Sequence, residues 1–138
     1  MHVTIRKLST GVIQVTIAGV TLSEDDKKII RYALTRHITE MCASIEMAAA
    51  HPEMAEKRKE AVENRRQAFM LIECFDMVNG EVNSVQRWLG DFSMEVPDRY
   101  VPLLYHAMLW YRNNWVDQDE REEAATRLLK LLEKCLPQ

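Results

Sequence analysis

Apolar and polar residues alternate with a period of two over residues 2–8 and 12–18. Val3 and Ile5 share one side of the first run, with Lys7 in the same register. Ile13, Val15 and Ile17 form a clear apolar face on the second. The β-branched content predicts two strands, and Ser9-Thr10-Gly11 between them predicts a short turn. A two-stranded hairpin is not stable alone in water. It must lie on a helix or pair with a further edge, including an edge of a second copy of the chain.

From residue 24 the period changes to that of a helix. Thr21 and Ser23 are both N-cap candidates, each with an acid three residues on, and Leu22 suits a hydrophobic staple. The first helix is expected over 24–50. Ile30, Ala33, Leu34, His37, Ile38, Met41, Cys42 and Ile45 fall at the three-four spacing of one buried face. His51-Pro52 predicts a tight corner, because proline disfavours helix in the residue before it and suits a first helical position. A second helix follows over 52–78, roughly 40 Å long at 1.5 Å per residue. Its halves differ: 53–67 is dense in charge, whereas 68–78 is mostly apolar and reads as a core element.

Asn79-Gly80 is a plausible stop for that helix. Residues 81–89 read as a short helix with Val82, Val85 and Trp88 or Leu89 inward, and 91–97 as a connector pinned by Phe92, Met94 and Val96. A helix capped by Asp98 and running to about Asn114 keeps Pro102 in its first turn, where proline is tolerated. It is apolar nearly all round, which marks it as central. Asp117 and Glu120 have the spacing of a capping box. They introduce a last helix over 118–136 with a wide arc of leucines. The expected fold class is α+β: an N-terminal β-hairpin packed on a mostly helical bundle of four major helices and one short helix. With no repeat or linker, 1–138 reads as a single domain.

Composition narrows the function classes. Apolar content of 47% with four Gly and four Pro argues against disorder. The net charge of −3 is divided unevenly. Residues 1–69 carry 11 basic and 9 acidic side chains, whereas 70–138 carry 7 and 12. Neither half resembles a strongly basic nucleic-acid binder. Cys42, Cys74 and Cys135 are widely spaced, with no CxxC, and read as buried free thiols that suit a reducing compartment. The start lacks the apolar stretch of a signal peptide, and 101–111 spans about half a membrane. The expectation is a cytoplasmic protein without membrane partners.

The search for chemistry finds little. The four glycines form neither a phosphate loop nor a dinucleotide fingerprint, so no cofactor is expected. His2, His37, His51 and His106 show no metal-ligand spacing. His37 reads as a core histidine, and His106 stands out only for its aromatic neighbours in sequence. Nothing in the spacing requests zinc. Glu56, Glu60 and Glu63 share a helix face, as in bundle metal sites. Interspersed Lys57, Lys59, Arg65 and Arg66 make a salt-bridged surface the simpler reading, with Glu53–Lys57 and Lys59–Glu63 as i,i+4 pairs.

Surfaces are more informative. Tyr100, Tyr105, Trp110, Tyr111 and Trp115 crowd a short stretch, and Trp and Tyr are common interface anchors. The candidate interface residues are Leu103, Trp110, Tyr111, Trp115, Leu129, Leu132 and Leu136. Arg58, Arg65 and Arg66 are the candidate phosphate contacts. The leading expectation is a non-catalytic protein-protein interaction or regulatory protein, an inhibitor or adaptor of a larger enzyme or assembly, and a homodimer. The alternatives are nucleic-acid association through the second helix and a helical metal-dependent phosphohydrolase.

Overall fold

The computed structural model describes residues 1–8, 12–75, 92–114 and 120–137. They form the expected mixed α+β fold. The strands are β1 (Val3–Lys7), β2 (Ile13–Ile17), β3 (Val20–Thr21) and β4 (Phe92–Glu95). The helices are α1 (Glu24–Ala49), α2 (Ala55–Phe75), α3 (Val101–Asn114) and α4 (Glu120–Glu133). The expected stop at Asn79-Gly80, the short helix over 81–89 and the Asp117 cap lie outside the described residues.

The hairpin forms with β1 and β2 antiparallel, Val3 facing Ile17 and Ile5 facing Val15. Its five apolar side chains at 3, 5, 13, 15 and 17 are all buried, as the alternation requires. It does not stand as a pair, however. The sheet has four strands in the order β3-β2-β1-β4. Residues 92–95, expected to be part of a connector, are an edge strand antiparallel to β1, with Thr4 opposite Glu95. Val96 continues the pairing through its N–H to the Val3 carbonyl at 2.8 Å, and its own side chain is buried. The physical reason is edge satisfaction. β1 presents unpaired backbone groups on its outer side, and a nearby extended segment of the same chain satisfies them without a second molecule.

On the other side, Ala18 and Gly19 link β2 to β3 with Ile17 opposite Val20. Both linking residues have positive φ, 50° and 82°. Two-residue loops of this kind match the twist of the strands they join. Gly19 takes this backbone at no steric cost. Ala18, carrying a Cβ, does so at a cost on the order of 1 kcal/mol.

Ser23 caps α1, its Oγ accepting from the Asp26 N–H at 3.1 Å. Glu24, Asp25 and Asp26 occupy the first turn, where the helix dipole favours acids. The Asp26 carboxylate is buried and accepts from Arg127 Nη2 at 2.7 Å, tying the start of α1 to α4. Lys27 Nζ donates to the Ile13 carbonyl at 2.7 Å and so ties the same turn to the sheet. Leu22, the expected staple residue, is buried.

The corner at residue 51 also forms as expected. His51 is extended, and Pro52–Met54 make a single 3-10 turn leading into α2. A second 3-10 turn, Asp98–Tyr100, leads into α3 with Pro102 in the first turn of the α-helix. Val101, Leu103, Leu104, Ala107, Met108 and Tyr111 of α3 are buried, which makes it the central helix. Leu128, Leu129, Leu131 and Leu132 of α4 join the same core. Cys135 is buried there as a free thiol, and burial raises its pKa.

Burial along α1 is graded. Ile30, Ala33 and Leu34 are buried, whereas His37, Ile38, Met41, Cys42 and Ile45 are half-buried. Ile38 still packs against the central core, and beyond it the helix keeps only partial cover. At the far end Ala48 and Ala61 are buried, small residues that let helices approach closely, while Met47 is 64% exposed.

Candidate functional site

The second helix was expected to bury its apolar half, and the structure divides that half in two. Ala68 and Leu71 are buried. Phe69 is 50% exposed and Met70 39% exposed, despite lying between and beside them. The cause is geometric. At 3.6 residues per turn, four consecutive apolar residues sweep most of the circumference, whereas one face of a surface helix can be covered. Ala61, Ala68 and Leu71 point inward; Val62, Arg66 and Phe69, spaced four and three apart, point outward. Val62 is 38% exposed.

This outward stripe has an ordered polar frame. Arg66 grips Glu63 through Nε to Oε2 at 2.9 Å and Nη2 to Oε1 at 2.5 Å. Hydrogen bonds from Arg66, and then from Gln67, hold the Glu63 carboxyl down at about 2. Arg66 Nη1 also reaches the Met70 sulfur at 2.9 Å. From the base of α3, the Tyr100 hydroxyl donates to the same sulfur at 3.7 Å and accepts from Arg99 Nη2 at 3.1 Å. Met70 is therefore held from α2 itself and from the turn that leads into α3, while part of it faces solvent.

The sequence-derived phosphate contacts do not share one free face. Arg58 is exposed. Arg65 is half-buried and turns toward α1, with Nη1 3.7 Å from the Cys42 sulfur. Arg66 is occupied with Glu63. Charges on this surface pair at i,i+3, Glu56 with Lys59 and Glu63 with Arg66, rather than at the expected i,i+4. Glu56, Glu60 and Glu63 are all exposed. Among the described residues, no group of three or more His, Cys, Asp or Glu side chains is placed to hold a metal ion.

Of the candidate interface residues, Leu103, Tyr111, Leu129 and Leu132 lie in the chain's own core. Tyr111 packs edge-to-face on Tyr32 of α1, with centroids 5.5 Å apart. Leu136 is partly buried against the same core, and Trp110 is half-buried. Trp115 lies outside the described residues. Val62, Phe69 and Met70 of α2, which are not in that set, are among the exposed large apolar residues. The signal for them was the uninterrupted run Ala68-Phe69-Met70-Leu71, too wide for one helix face.

The structure also brings together two histidines that sequence spacing leaves unrelated. His37 of α1 and His106 of α3 border a cleft of about 390 Å³. Glu40, Met41 and Trp110 complete much of its wall. Burial, then the His106 charge, pull the His37 pKa below the ordinary imidazole value, while Glu40 pulls it up. His106 is exposed and meets the Tyr105 ring edge-on at 5.7 Å. A larger cleft of about 530 Å³ opens beside the start of α1, between Asp25, Ile29, Tyr32 and Arg121. Among the described residues, no helix is long and apolar enough to cross a membrane. Comparison with protein-family models, curated proteins and solved structures finds no match to this chain.

Proposed function

We propose that this chain is a non-catalytic protein-binding protein, a regulator or adaptor that engages its partner through the outward face of α2. The observation that carries this reading is the half-exposed Phe69. It stands on a stripe with Val62, beside a Met70 anchored from α2 and from the turn that leads into α3, on a helix whose opposite face is core. Aromatic and methionine side chains are enriched at the cores of protein interfaces, and arginine accompanies them. The Arg66–Glu63 pair supplies a preorganised polar rim, which limits the entropy lost on binding.

The first partner to test is a second copy of the chain. β4 covers the outer edge of β1 and leaves β3 and β4 as the outer strands of the sheet; the dimer to be tested pairs the α2 stripe, and pairing of an outer strand is its competitor. Closed two-fold pairing of the α2 stripe buries the same residues on both copies. Light scattering over a hundredfold concentration range reads this directly against the 16.1 kDa chain mass.

The wider test is site-specific photo-cross-linking in the native cell. A benzophenone amino acid is placed at position 69 and, as a control, at the exposed position 122 on α4. The expected result is a discrete adduct, with this chain or another protein, from position 69 alone. The adduct is lost on Val62→Glu. Equal adducts from both positions, or none from position 69, overturn the reading. Retention of nucleic acid that weakens with salt and disappears on Arg58→Ala would favour the phosphate-contact alternative instead.

A further inference from the structure

We propose that the cleft between α1 and α3 binds a small, flat nitrogen heterocycle carrying an amine beside a ring nitrogen, as the aminated nucleobases do. This site is separate from the α2 stripe. Its volume, about 390 Å³, lies within the range of small-molecule pockets. Its walls combine apolar Met41, Leu109 and Trp110 with polar His37, Glu40, Ser44, His106, Asn113 and Asn114, a lining suited to a polar ring.

Two of these polar groups, on the same face of α1, carry the argument for the ligand chemistry. His37 Nε2 is buried and has no hydrogen-bond partner among the described residues. Buried ring nitrogens are normally paired, so this one is poised to take a partner from the cleft. A neutral imidazole can place its proton on either nitrogen, which lets Nε2 donate to a ring nitrogen. Burial and the neighbouring His106 favour that neutral form. Glu40 stands three residues on, on the same helix face, and its carboxylate accepts only. A ring nitrogen beside an exocyclic amine offers an acceptor to His37 and a donor to Glu40 together. The half-buried Trp110 on the wall offers an aromatic face or edge to the ring. A carboxylate or phosphate ligand fits less well, because Glu40 repels it.

The test is NMR titration of the 15N-labelled chain with adenine and with unsubstituted purine, which lacks the amine. The resonances followed are the His37 imidazole and the Trp110 indole. Adenine is expected to shift both and to bind about tenfold tighter than purine, the difference made by one hydrogen bond to a charged acceptor. Glu40→Met removes that advantage while leaving purine binding in place. His37→Phe weakens both ligands. Circular dichroism confirms that each variant is folded, and Glu40→Met alone suffices if His37→Phe is not. Three outcomes overturn the proposal: no shift at Trp110 and His37 with adenine at its solubility limit, equal affinity for adenine and purine, or an adenine advantage that survives Glu40→Met.

Discussion

The two ends of the α1–α2 pair are built differently from the same helices. At the sheet end, α1 contributes fully buried Ile30, Ala33 and Leu34, and α2 contributes Ala68 and Leu71, to a core shared with the sheet, α3 and α4. At the far end the same helices meet through buried Ala48 and Ala61, with half-buried Met41, Cys42 and Ile45 between them. Regular helix geometry is common to both ends. What differs is how many layers press on each face. The sheet end draws its stability from apolar burial on several sides, and the far end from helix propensity and a narrow contact.

The largest expected effect measures that contrast along one helix. Leu34→Ala should cost about 2–5 kcal/mol in urea unfolding, the usual range for deleting a fully buried leucine. Ile45→Ala, at a half-buried site on the same helix, should cost less than half as much. Equal costs would show that the far end is as closely packed as the base.

Removing the tie between α1 and α4 comes next. Asp26→Ala leaves Arg127 without its carboxylate. Arg127 is half-exposed, so water re-solvates it, and the expected loss is about 1–3 kcal/mol. Arg127→Met restores apolar contact with no orphaned charge and should recover part of it. Loss of the cap by Ser23→Ala is expected to cost about 1 kcal/mol at the same end. An unchanged midpoint for Ser23→Ala would mean that the sheet and α4 hold this turn without the cap.

The acid response belongs to the cleft between α1 and α3. The folded His37 pKa lies below its unfolded value, so as pH falls the unfolded chain takes up the proton first. The stability contributed by neutral His37 is present above about pH 6.5 and is lost as pH falls through the folded value. His37→Phe should flatten the fall in thermal midpoint between about pH 7 and 5. An identical pH profile in the variant would remove His37 from the acid response.

Much of the fold was legible because its signals are local. The alternation at Val3, Ile5, Ile13, Val15 and Ile17 specified the hairpin, and Ser23, Pro52 and Pro102 marked where helices begin. β4 was not legible. Phe92, Met94 and Val96 alternate as a strand does, but four residues cannot say which edge they join, and that edge lies almost ninety residues earlier. The same limit hid the meeting of His37 with His106. The arc with Leu129 and Leu132 is too wide for one neighbour, which in sequence suggests an interface, and the fold buries it in the common core instead. On α2 the error ran the other way. Phe69 and Met70 were read as core because they are apolar, although their neighbours already filled the inward face.

The central claim is that the outward face of α2 adds little to the fold and is available to a partner. Urea unfolding of Phe69→Glu beside Leu71→Ala on the same helix tests it most directly. The expected result is a midpoint within about 0.5 kcal/mol of the parent for Phe69→Glu, as for surface substitutions generally, against a loss of about 2–5 kcal/mol for Leu71→Ala. A Phe69→Glu chain destabilised as much as Leu71→Ala would contradict the claim and make Phe69 part of the chain's own core.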